Sequence, residues 1–235
     1  MKTTNKILFE KISTMLKSYL KFSQLREFLG DAESISFSEI EFPTNYSDRE
    51  EKRDINLRDI KARNFIDKTI TYAERNLGIE DYQKLQFDLS LILAECDEMN
   101  IAEEILTNLI NNVKTEPHIK AESLLALADI LIRKSFWDKS IVLIVQAREL
   151  FGDLNDSIGM AKCENMSGTY YGERGEIISA RNHFVNSLNL LKEKEDSKLE
   201  ARIESNLAIL EVICGNCDIA NKYFIPGHGS VTGHF

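Results

Sequence analysis

Displaced by forty residues, this sequence matches itself. Ala121, Ala161 and Ala201 fall into line, as do Leu150 with Leu190, Asp156-Ser157 with Asp196-Ser197, and Glu164 with Glu204. The same offset superposes Gly175 on Gly215, Ala180 on Ala220 and Phe184 on Phe224. A helical bundle also repeats Ala and Leu at helical spacing. It has no reason to keep one offset across turn glycines, small residues and aromatics together. A stacked helical repeat does, because each unit must present the same apolar face to its neighbour. Three units are clear, at 121–160, 161–200 and 201–225. A weaker one carries Ser90, Leu93, Ala102, Leu106 and Leu109, displaced by 38 from the next. Residues 55–77, with Ile60, Ile66, Ile70, Ala73 and Leu77, read as one more helix or a half repeat.

Within a unit the spacing reads as two helices. Gly168 and Tyr171 share one face of the first, helix A. Gly175 ends that helix in the place a C-terminal cap requires. Ala180, Phe184 and Ser187, at i, i+4 and i+7, line one face of the second, helix B. Small residues at 168 and 180 let two antiparallel helices approach closely, and the aromatics fill the space between pairs. The preceding unit offers Ala128, Leu131, Ser135, Ser140, Ile144 and Ala147, and the following one Ala208, Glu211, Gly215, Ala220 and Phe224. Asp156 or Ser157, and Asp196 or Ser197, are suited to cap the first helix of a unit.

This pattern resembles the tetratricopeptide repeat. The residues that carry the likeness are Gly168 with Tyr171, the turn Gly175, and Ala180 with Phe184. The family's Trp is absent from its place, with Trp137 instead at the start of a helix B, and the Pro after helix B is missing. The period of forty exceeds the usual 34 by about six residues, as in the extended repeats of polarity adaptors and bacterial pheromone receptors. The resemblance implies an all-α fold: a right-handed superhelical solenoid of antiparallel helix pairs.

Outside the array, residues 1–30 hold six basic and two acidic residues and read as a single amphipathic helix. Leu8, Ile12, Met15, Leu16, Tyr19 and Leu20 make its stripe, and Ile7, Phe9, Phe22, Leu25, Phe28 and Leu29 widen it. Such a helix docks on the first repeat or forms a homo-oligomer seam. Binding an anionic membrane is the weaker alternative. Residues 31–56, with three basic and eight acidic residues, read as an acidic linker, in which Ile35, Phe37, Ile40 and Phe42 suggest a short extended segment. The array then spans 57–225, and 226–235 is a Gly/His-rich tail that departs from the repeat, marking either a vector-derived end or a cut from a longer protein.

Several functions are disfavoured. A net charge of −9 argues against a nucleic-acid partner, which needs clustered Lys and Arg. No apolar run approaches the roughly 20 residues that span a bilayer, and the lysine-studded N-terminus lacks a signal peptide's apolar core, so the expected location is cytoplasmic. Four cysteines in 235 residues are not a disulfide framework. His118, His183, His228 and His234 fit no catalytic or metal-helix motif, and no nucleophile elbow occurs, so the expectation is no enzyme and no cofactor. Cys214, Cys217, His228 and His234 have a spacing close to a zinc finger's. The two cysteines also flank the helix A to helix B turn of the last unit, and that is the stronger reading.

By the resemblance, the A helices line a concave groove that binds a protein or peptide segment. The positions this assigns to the groove include Glu122, Leu125, Asp129, Ile132 and Arg133 in one unit. They include Lys162, Asn165, Thr169 and Glu173 in the next, and Arg202, Ser205, Asn206 and Ile209 in the last. Asn165 and Asn206 suit hydrogen bonds to a peptide backbone, and Lys162 and Arg202 suit a carboxylate. The expected role is a signalling or assembly scaffold. The alternatives are the sensor region of a longer bacterial signalling protein and a zinc-stabilised structural module.

Overall fold

In a computed structural model of the chain, the backbone is described for residues 3–33, 63–192 and 196–224. Among these, all regular structure is helical. The linker beyond residue 33 and the 226–235 tail, with His228 and His234, lie outside the described residues. The chain divides into two units, Met1–Asn111 and Asn112–Phe235. The boundary falls inside the region the repeat pattern assigns to one array, after the weaker unit.

The first unit holds α1 (Thr3–Tyr19), α2 (Phe22–Glu33), α3 (63–76), α4 (Ile79–Glu95) and α5 (Met99–Asn111). The single helix expected over 1–30 is two. The chain breaks at Leu20-Lys21, where the Lys21 N–H donates to Gln24 Oε1 at 3.0 Å while the Lys21 carbonyl accepts from Leu25 at 2.9 Å. That is half of a capping box, a start signal for a second helix. The break explains the widened apolar face. Leu8, Ile12, Met15, Leu16 and Leu20 are buried by α1, and Leu25 and Phe28 by α2. α1 docks on α4, with the Tyr19 hydroxyl donating to Asp88 at 2.6 Å and Lys11 pairing with Glu95. Phe65 of α3 is fully buried, with ring centroids 5.1 Å from Phe9 and 5.9 Å from Phe28. The stripe is thus buried within the first unit, while Ile7 and Phe22 of the widened face stay exposed.

The second unit is three helix pairs: α6 (Pro117–Arg133) with α7 (Trp137–Asp153), α8 (Ser157–Glu173) with α9 (Ile177–Leu191), and α10 (Ser197–Ile213) with α11 (Cys217–Phe224). α6, α8 and α10 start forty residues apart and each is 17 residues long. Every A-to-B turn closes in the same way. The Phe136, Glu176 and Asn216 N–H groups donate five residues back, to Leu131, Tyr171 and Glu211. The residue before each donor has positive φ: Ser135 (61°), Gly175 (77°) and Gly215 (78°). This is the Schellman closure, which satisfies carbonyls the helix end would leave bare. Asp97 (φ 68°) closes the α4–α5 turn alike, so the weaker pair in the first unit shares the device. At helix starts, Asp156 and Asp196 are the caps, accepting from the Gly159 and Leu199 N–H groups at 2.9 and 3.0 Å.

Packing follows the small-against-large pairing that the sequence implied. A Cβ on Gly168 would meet the Phe184 ring at 2.5 Å, and one on Gly159 the Phe151 ring at 2.1 Å. Ala161, Ala180, Phe184, Leu191, Leu199, Ile203, Leu207 and Leu210 form a continuous core across α8 to α10. Ser187, fully buried, donates to the Ala161 carbonyl at 2.6 Å and ties α9 to α8.

Candidate functional site

Consecutive A helices of the second unit pack side by side, α6 with α8 and α8 with α10. Two side-chain bonds link expected groove residues between these helices. Glu122 and Lys162 form an ion pair from α6 to α8, and Asn206 Nδ2 donates to Asn165 Oδ1 at 2.9 Å from α10 to α8. The Glu122 neighbourhood is closed further by His118, 3.2 Å from Asp156, with its ring edge-on to Phe151. Thr169 Oγ1 donates to the Asn165 carbonyl at 3.2 Å. Leu125 and Ile132 are buried and offer a ligand no surface.

These bonds change what the row has to offer. Asn165 is 6% exposed and its amide oxygen is already taken. Asn206 keeps its own amide oxygen and one N–H for a ligand, by the count of donors an amide has. Lys162 is committed to Glu122. Arg202 is exposed and makes no ion pair among the described residues. It faces Asp129, which lies 3.7 Å from Arg133. The Asp129 carboxyl is held above the usual aspartate range by surrounding protein, with Arg133 and Arg202 pulling back against that shift. Its side chain is nevertheless 43% exposed.

Two features of the second unit escaped the sequence reading. Glu164 and Glu211 are carboxylates buried to 3% exposure. Glu164 takes Arg148 at 2.7 Å and His183 Nδ1 at 2.8 Å, and the His183 ring stacks on Tyr171 with centroids 5.1 Å apart. Glu211 takes Arg181 and the Asn216 amide, both at 2.8 Å. Both sites tie an A helix to the B helix before it. Glu211 stands at the repeat position of Tyr171 and Leu131, and a charge at that apolar position was the available signal.

Cys214 and Cys217 are exposed free thiols, with Arg181 Nη2 3.9 Å from Cys214 Sγ. Among the described residues no three His, Cys, Asp or Glu side chains could hold a metal ion. Cys163 is buried and its thiol is pushed up to about 12 by that burial, so it stays protonated and inert near neutrality. Among the described residues no helix is long and apolar enough to cross a membrane. No protein-family model matches the chain, and no curated protein matches it either.

Proposed function

We propose that this chain is a non-enzymatic interaction scaffold of tetratricopeptide type, a right-handed superhelical array whose concave face binds an extended segment of another protein. The row of α6, α8 and α10 side chains supports this most directly. Glu122–Lys162 and Asn165–Asn206 bridge adjacent A helices and fix a polar floor, while Arg202 and the free half of the Asn206 amide stand above it. A floor already bonded to itself loses little freedom when a ligand arrives, so more of the contact energy appears as affinity. Arg202 supplies a carboxylate contact and Asn206 a backbone contact. Asn165, Lys162, Glu122 and Thr169 serve as supports for that surface.

The test is affinity capture from native lysate with wild-type chain and an Arg202→Ala, Asn206→Ala variant of unchanged helical content. The captured segment is then titrated as a synthetic peptide. The scaffold reading expects the double substitution to weaken binding at least about tenfold, as loss of a charged anchor does. A peptide that binds both chains equally would move recognition off this face and overturn the reading.

A further inference from the structure

The turn from α10 to α11 carries two thiols with two residues between them. Cys214 caps the end of α10 and Cys217 opens α11, and both are exposed and free. Repeat packing does not ask for them. The same places hold Lys134 and Trp137 in the first of the three pairs, and Arg174 and Ile177 in the second. Between the thiols stand Gly215, at φ 78°, and Asn216, whose N–H donates to the Glu211 carbonyl at 2.8 Å. This closure reverses the chain, so both cysteines belong to one turn, and the glycine supplies torsional freedom for drawing them together. Cys214 also has a cation at hand. Arg181 of α9, held by the buried Glu211 at 2.8 Å, has its Nη2 3.9 Å from Cys214 Sγ. Negative charge that develops on a sulfur leaving Cys214 therefore does so beside a guanidinium, which favours its departure.

We propose that Cys214 and Cys217 are a redox-active dithiol that closes to an intramolecular disulfide by exchange with a small-molecule disulfide of the glutathione kind. In the first exchange the Cys214 sulfur bonds to one sulfur of that disulfide. The S–S bond breaks, and the other sulfur leaves and takes the proton that Cys214 gave up. In the second, the Cys217 sulfur bonds to Cys214 Sγ and the remaining small thiol leaves with the Cys217 proton. Two protein thiols are oxidised and one small disulfide is reduced to two thiols. The reverse sequence reopens the turn. The inference goes beyond the ligand-binding reading and is measured without any groove ligand, so that either one can fail alone.

The test equilibrates the full chain in mixtures of reduced and oxidised glutathione, quenches in acid, alkylates the remaining thiols under denaturing conditions and digests with trypsin. Residues 203–222 then form one peptide that holds Cys214 and Cys217 and no other cysteine. The expected result is loss of both alkyl groups from that peptide in one two-electron transition, and their return when reduced glutathione is restored. Cys96 and Cys163, which are buried, stay alkylated throughout. Cys217→Ser is expected to stop at a glutathione mixed disulfide on Cys214. Two free thiols persisting in excess oxidised glutathione overturn the proposal. So do mixed disulfides that stand unresolved on the wild-type pair, a disulfide that joins two chains, or a Cys217→Ser chain whose Cys214 takes up no glutathione.

Discussion

Gly168 and Gly159 leave no room for a methyl group, because an aromatic ring of the neighbouring helix lies against each. Gly168→Ala must push the Phe184 ring or spread α8 from α9, and overpacking of this kind costs about 1–3 kcal/mol. Gly152, on α7, has open space where its Cβ would be, so Gly152→Ala should be neutral or stabilising by up to about 1 kcal/mol through helix propensity. Chemical denaturation of the two variants checks the contrast, and equal effects would deny the close approach. The residue scale also carries a pH effect. In the folded chain burial raises the Asp129 carboxyl above its ordinary value. The folded state therefore holds that proton more tightly than the unfolded one, and stability falls as pH rises through the raised value. Asp129→Asn should then raise the denaturation midpoint near neutral pH, with the gain shrinking on acidification toward the ordinary aspartate range. A gain that grows in acid would reverse the sign of this account.

At the scale of elements, most of the second unit was legible because the period is carried by residues whose backbone needs are specific. Gly175 and Gly215 announce positive φ, Asp156 and Asp196 announce helix starts, and the helix limits fall where these residues place them. The break between α1 and α2 was not read, because the apolar spacing runs on through Leu20 and only Gln24 signals a new start. The groove was legible as a set of positions and not as a set of free groups. Sequence spacing puts Asn165 and Asn206 on facing helices but does not tell that they bond each other. The buried carboxylates mark the same limit, since nothing local to Glu211 points to an arginine thirty residues earlier. Arg181→Met leaves that carboxylate short of its cation and should cost about 2–3 kcal/mol, somewhat below the loss for a fully buried pair because Arg181 is itself 41% exposed. The double variant Arg181→Met, Glu211→Leu restores the apolar residue that Leu131 supplies in the first of the three pairs. Calorimetric melting should show most of the loss recovered. Additive losses would mean the two residues are not coupled.

For the whole molecule, the account rests on which side of the second unit meets a partner. The repeat makes two long faces available, the A-helix row with its fixed polar floor and the B-helix side with exposed Val145 and Val185 forty residues apart. Exposed valines are ordinary on a protein surface and need no ligand. The A-helix row instead carries bonds between neighbouring helices, Glu122 with Lys162 and Asn206 with Asn165, beside the exposed Arg202, and it is on this contrast that the scaffold reading depends. The most direct measurement places a photo-crosslinking amino acid at Thr169 on the A-helix row or at Val145 on the B-helix side, in otherwise wild-type chain, and irradiates each in native lysate. The account predicts adducts to a defined partner segment from position 169 and none to that segment from position 145. Adducts from 145 alone, or the same adducts from both, would contradict it.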